Sequence, residues 1–261
     1  MPEGSFNVIC EIEPATRPDL RSVRHQIGVL APVASSFLIP DNHLGRATVS
    51  SVAVAHEVQA MGGHSIACLN CRDRNLLGLR RDLLTAAAYG VEELLCVYGD
   101  DPTSGGRTSQ LTVRTMIEEI RVWGEDQTLL SGRPFRAGVT TRLGAVAPWK
   151  RDVDFVFVQV SFSAERLISW RDSVSLAMPV YPGVMVLASP SMAKSVAASL
   201  YEVDVPEALV ERLERDRSAG VEAACQLVLD LRDSGRFEGV HLIPVGRYRE
   251  VAARLETLLA T

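Results

Sequence analysis

Three polar side chains stand where apolar runs of β character end, and each is of a type that does chemistry in such a place. Glu11 lies in the run Asn7–Ile12, Asp100 follows Leu94–Val97, and Gln159 closes Phe155–Gln159. A carboxyl inside an apolar run is costly to keep charged, which moves its pKa from about 4.3 toward the range of a general acid. Glu11 is so placed; the alternative is that it pairs with an arginine of a neighbouring loop. Glu13 would share its side of the strand if the strand ran on, but Pro14 turns the chain outward. Asp100 comes directly after Gly99, a residue that lets backbone approach a ligand closely while the carboxylate faces it. A plain turn around Asp101-Pro102 reads the same residues without a ligand. Gln159 offers a neutral amide suited to two-pronged recognition of a heterocycle, or to satisfying nearby backbone groups. Asp41, Asn42 and His43 follow the second apolar run, and Cys71-Arg72-Asp73-Arg74-Asn75 follows the third as a helix entry with a cap and salt bridges.

Something must bring these segments together, and the chain supplies it by repetition. Short β-rich runs occur at Asn7–Ile12, Ser36–Ile39, Ser65–Leu69, Leu94–Val97, Arg136–Val139, Phe155–Gln159, Val180–Val186 and Val240–Ile243. They alternate with segments of helical period at Asp19–Leu30, Ala47–Met61, Leu76–Tyr89, Thr108–Trp123, Ala164–Ser173, Ser191–Leu200 and Arg247–Leu259. Gly62-Gly63 and Gly90 mark two helix ends. Eight βα units predict an α/β fold, a (β/α)8 TIM barrel forming one domain over residues 1–261, with an open doubly wound sheet as the alternative. In such a barrel the loops after the strands converge on one face, so the polar residues above become neighbours. The fifth unit is thin, with only a stub of helix in Leu143–Trp149. An extra helical pair, Pro206–Arg217 and Ala219–Asp233, precedes the last strand.

Composition narrows the chemistry. Apolar residues are 47% and charged ones 23%, and the net charge is −5 with no Lys/Arg-rich run. That speaks against nucleic acid and against an anionic membrane surface as partners. No apolar run approaches the roughly 20 residues that span a bilayer, so the expectation is a cytoplasmic protein. Composition is compatible with a homo-oligomer. Cys10, Cys68, Cys71, Cys96 and Cys225 are odd in number and scattered, which suits reduced thiols. The spacing Cys68-x-x-Cys71 has no second pair or histidine cluster to complete a metal site. Thr103-Ser-Gly-Gly-Arg107 lacks the ending of a phosphate-binding P-loop, and there is no G-x-G-x-x-G for a Rossmann nicotinamide site.

Read in order, Ile9-Cys-Glu11-Ile-Glu13-Pro14, Asp41-Asn42, Cys71-Arg-Asp-Arg-Asn75-Leu-Leu-Gly-Leu79, Gly90-Val-Glu-Glu-Leu-Leu-Cys-Val-Tyr-Gly99-Asp100-Asp101-Pro102, Val158-Gln159, Pro182-Gly183 and Gly239-Val-His241 resemble methylenetetrahydrofolate reductase. The resemblance implies a (β/α)8 barrel that reduces 5,10-methylenetetrahydrofolate to 5-methyltetrahydrofolate with NADH or NADPH, as a rule through FAD. It makes Glu11 the general acid that assists opening of the folate's five-membered ring, and Asp100 the charge that stabilises the resulting iminium cation. Gln159, Asp41 and Asn42 become folate contacts, and Asp73, Gly99 and Asp100 cofactor contacts. After the fifth strand the family shows a Tyr-Pro-Glu or Asn-Pro pattern, a long helix with a lysine, and Ala-Gly-Ala-Asp near the FAD. This chain has Ala137-Gly-Val-Thr-Thr-Arg-Leu143 and Ala147-Pro-Trp-Lys150 instead, and Cys68 where many members place a histidine. Some relatives pass hydride directly from NADH to the folate, the variant this departure suggests. Two further readings are a non-catalytic relative that binds folate or a partner subunit, and a pterin-dependent methyl transferase.

Overall fold

The computed structural model describes residues 6–125, 134–199 and 203–259. Eight parallel strands close on one another in chain order. They are β1 (Asn7–Glu11), β2 (Ser36–Ile39), β3 (Ser65–Asn70), β4 (Glu93–Val97), β5 (Arg136–Thr141), β6 (Phe155–Val158), β7 (Val180–Met185) and β8 (Gly239–Ile243). Closure is made by β1 pairing with β8, Ile9 lying opposite His241. This is the expected (β/α)8 barrel, and the open-sheet alternative falls with the β1–β8 ladder. The helices are α1 (Arg21–Leu30), α2 (Ser51–Ala60), α3 (Leu76–Tyr89), α4 (Val113–Glu125), α5 (Ala164–Ser173), α6 (Pro190–Ser199), α7 (Glu207–Arg215), α8 (Ala219–Asp233) and α9 (Tyr248–Leu259). Local signals set several of their ends. Asn75 Oδ1 accepts from Gly78 N–H at 2.8 Å to cap α3, and Gly90 stops it with φ 71°.

Period-2 alternation divides each strand between two cores. Outward residues such as Val8, Cys10, Leu69, Leu94, Val156 and Leu242 pack under the helices. Inward residues Ile9, Leu38, Ile66, Cys68, Leu95, Phe155, Phe157 and Tyr181 fill the barrel itself. At its amino-terminal end Arg136 bridges to Glu93 across β4 and β5 at 2.6 Å. Gly138, on β5, is the small partner that admits Phe155: a methyl group there would lie 2.0 Å from the ring. Phe155 is fully enclosed, so Gly138→Ala is expected to cost about 1–3 kcal/mol or more by overpacking. Calorimetry should show a lowered Tm; an unchanged one would mean that the ring has room to move.

Several expectations need correction, among them the start of α2, which is Ser51 rather than Ala47. Leu143–Trp149 holds no α-helical stub; β5 is followed by irregular chain and one 3-10 turn at Pro148–Arg151. Pro148 explains the start of that turn, since its missing N–H is tolerated only in a first turn. Helix α4 begins at Val113 rather than Thr108, because Thr108 is bound elsewhere: its N–H donates to Arg72 O at 2.6 Å and its hydroxyl to Arg74 O at 2.8 Å. The pair α7 and α8 does precede β8, packed with α6 on an apolar cluster that includes Leu187, Ala193, Leu209 and Leu213. Among the described residues no helix is long and apolar enough to cross a membrane.

Candidate active site

Glu11 ends β1 two residues beyond the inward-facing Ile9, so alternation carries its side chain into the barrel mouth. There it meets His241 of the adjacent β8, with Nε2 3.1 Å from Glu11 Oε2. The two are close but off the line of a hydrogen bond, which leaves this buried ring nitrogen without a hydrogen-bond partner. Phe157 holds the other side of the imidazole edge-on, with ring centroids 5.2 Å apart. Above Glu11 opens a cavity of about 470 Å³. Its walls are mostly apolar, from Pro14, Leu44, Met185, Met192, Ile243, Pro244 and Val245, with Glu13, His43 and Arg46 as further charged or polar lining. An apolar cleft with a few convergent polar groups is the ordinary form of a small-molecule site.

Asp100 and Gln159 stand at the carboxyl ends of β4 and β6, on the same end of the barrel as Glu11, but neither lines this cavity. Asp100 is exposed and accepts the N–H of Leu44 at 2.8 Å, so it touches the cavity through the β2–α2 loop. That loop is tightly wound, with Asn42, Leu44 and Gly45 all at positive φ. Gly45 is pressed so near the carbonyl of Asp101 that a side chain would overlap it. Gln159 is half-buried; its backbone N–H donates to Thr141 O at 2.9 Å, and its side-chain amide has no hydrogen-bond partner among the described residues.

Asp41, Asn42 and Asp73 are engaged with protein. Asp41 accepts from Arg74 at 2.6 Å and from the N–H and Nδ2 of Asn70, both at 2.9 Å. Arg74 continues to Asp82 at 3.1 Å. Burial works against the Arg74 cation, but Asp41, Asp82 and Asp73 outweigh it and hold its pKa above the ordinary arginine value. Asn42 donates its amide to Asp73 and exchanges hydrogen bonds with Thr48 at 3.1 and 3.3 Å. Next to this network Arg72 lies over the Tyr98 ring, 4.2 Å from its centroid, and is paired with Asp101. The five thiols are free and buried, and burial pushes Cys10 and Cys96 up to about 12 and Cys225 to about 11. At all five, burial favours the protonated thiol over the thiolate.

Sequence reasoning left His241 without a role and passed over Arg46, Met185 and Met192. For His241 the signal was there: inward alternation on the last strand of a barrel must bring it beside the first.

The family model of methylenetetrahydrofolate reductase matches residues 150–258, from the turn before β6 through α9, which is less than half of the chain. Over that stretch the resemblance to methylenetetrahydrofolate reductase holds. No curated protein matches by sequence. Among solved structures, a Clostridium thermocellum protein that binds two copies of 5-methyl-5,6,7,8-tetrahydrofolic acid superposes with a TM-score of 0.64. Its identity is 8%, over 98% of this chain and 95% of that one. The Bacillus cereus spore cortex-lytic enzyme SleL gives 0.59 at 13% identity, over 98% and 75%. DmoA from Hyphomicrobium sulfonivorans gives 0.56 at 11%, over 98% and 87%. At these identities the likeness is one of fold. Methylenetetrahydrofolate reductases as a rule carry FAD at the open end of the barrel, and this chain departs from their pattern after β5. No α-helix is present between β5 and β6 among the described residues. The Asp73 and Asp100 carboxylates are bonded to Asn42, Asn70 and Leu44 N–H. A substituent on Gly99 would stand 2.7 Å from Asn70, so the chain there packs closely on that side chain.

Proposed function

We propose that this protein is a cytoplasmic reductase, acting as one barrel domain, that converts 5,10-methylenetetrahydrofolate to 5-methyltetrahydrofolate with hydride taken directly from NADH or NADPH. The observation that carries the reading is Glu11: a carboxyl with 18% of its side chain exposed, beside His241, in an apolar cavity of about 470 Å³ at the barrel mouth. In this reading the Glu11 carboxyl gives its proton to N10 of the folate as the bond between N10 and the bridging carbon breaks. The bridging carbon is left as an iminium ion on N5. Hydride from the nicotinamide adds to that carbon, giving the methyl group and the oxidised dinucleotide, so one proton and two electrons are accounted for. Water exclusion by the apolar walls keeps the cation from hydrolysis and strengthens nearby charges. Asp100, one carboxylate oxygen of which is tied to Leu44, contributes negative charge at the mouth. Gln159 offers its free amide to the pterin or the nicotinamide.

The test is turnover by the purified chain with methylenetetrahydrofolate and NADH or NADPH, with no flavin added. Loss of nicotinamide absorbance matched by formation of methyltetrahydrofolate, from a colourless preparation, is the expected result. Activity appearing only with FAD would overturn direct transfer. A second reading, a barrel that binds folate without reducing it, is favoured by the helix-free fifth unit and by the folate-binding relative in fold. Tight binding without turnover under any of these conditions would select it.

A further inference from the structure

The cavity over Glu11 is polarised along its depth. Its inner end holds Glu11 on the last residue of β1, while Arg46 and His43 belong to the β2–α2 loop at its solvent edge. Leu44, Met185 and Ile243 give the wall apolar surface. Both Arg46 and His43 are exposed, and the side chain of neither has a hydrogen-bond or ion-pair partner among the described residues. Glu13 lines the same cavity and makes no ion pair with Arg46, so the guanidinium is available.

The loop that carries Arg46 is fixed. Leu44 N–H is held by Asp100 at 2.8 Å, and the Gly45 carbonyl accepts from Thr103 N–H at 2.9 Å and from its hydroxyl at 3.1 Å. An arginine held at the rim of an apolar cleft, with its fork unoccupied, matches a carboxylate in shape and charge.

We infer that Arg46, with His43 beside it, forms a subsite for the carboxylate-bearing tail of a ligand whose ring system meets Glu11. The inference rests on the folate reading and deepens it: the tail is the glutamyl end of the folate, which leaves the cleft at the β2–α2 loop. Because Arg46 is remote from the reacting carbon, it contributes binding that is equal in ground and transition states.

The experiment is direct binding, by calorimetry or quenching of intrinsic fluorescence, of tetrahydrofolate and of 6-methyltetrahydropterin, which has no glutamyl tail. Wild type is compared with Arg46→Gln and Arg46→Lys. Arg46→Gln is expected to weaken tetrahydrofolate about tenfold, to leave the tailless pterin unchanged, and to flatten the salt dependence of tetrahydrofolate binding. Arg46→Lys should recover part of the loss. With the substrate, KM should rise and kcat should hold. Equal weakening of both ligands would overturn the subsite, since Arg46 would then act through the loop, and so would an unchanged tetrahydrofolate affinity. Failure of wild type to bind either ligand would instead overturn the folate reading beneath it.

Discussion

Glu11→Gln is expected to lower methylenetetrahydrofolate reduction by about 10²- to 10⁴-fold, the range that one positioned proton donor supplies, while the protein still folds and still binds folate. Glutamine keeps the volume and polarity of the carboxyl but has no acidic proton to give N10. Its neighbourhood predicts little structural disturbance, because among the described residues the carboxylate makes no side-chain hydrogen bond and its one ion-pair contact is with His241 at 3.1 Å, outside hydrogen-bond alignment. The effect should therefore fall on kcat, with tetrahydrofolate affinity within a few-fold of wild type. Single-turnover measurement of methyl formation, alongside equilibrium binding, separates the two. Comparable turnover by the variant would remove Glu11 from the chemistry and take the reductase reading with it.

Arg74→Met should give the largest loss of stability, about 3–5 kcal/mol, the usual result of leaving one half of a buried ion pair without the other. Methionine fills much of the space, so the loss is electrostatic. Asp41, with 6% of its side chain exposed, would keep the donors of Asn70 and lose the cation 2.6 Å away. Asp82 would lose the same partner. Urea unfolding should show a lower midpoint at unchanged slope. Adding Asp41→Asn should restore a good part of the loss, since the orphaned charge is then gone. A single-variant loss below about 1 kcal/mol would mean that water reaches Asp41 and screens it as a surface pair. The network has a functional side as well: it packs beneath Asn42 and Asp73, which brace the β2–α2 loop at the edge of the cavity.

How far the chain could be read before folding depended on whether a signal was local. Strand β2 and helices α3, α5 and α8 run over the residues that their apolar spacing predicts. Glu11 could be singled out because a carboxylate inside an apolar run is anomalous at any stage. The start of α4 was misplaced because helical period continues through Thr108, whose backbone and hydroxyl are claimed by Arg72 and Arg74 more than thirty residues earlier. The same holds for α2, which begins at Ser51 and not Ala47, since Thr48 is bound to Asn42 and Val49 N–H donates to Ala15 O at 2.8 Å.

The functional residues divide along the same line. Asp41 and Asp73 read as loop carboxylates free to meet a ligand, and only their placement against Arg74, Asn70 and Asn42 shows that protein groups occupy them. Asp100 read as facing the reaction, whereas its carboxylate is spent in part on Leu44 N–H.

What the sequence settled alone was the periodicity: eight β-rich runs alternating with helical ones, and hence a parallel α/β sheet with its polar strand ends on one side, a barrel or an open sheet. Hydrophobic burial needs no more than that pattern, because each element hides its own apolar side. The tertiary structure decided which of those polar ends share a space. Closure of β8 on β1 sets His241 against Glu11, 230 residues away in the chain, and it opens the cavity over β1, β7 and β8 while the β2–β4 side fills with ion pairs. Contacts of that kind depend on register and loop packing, which are set by distances between remote segments and leave no periodic trace in the chain.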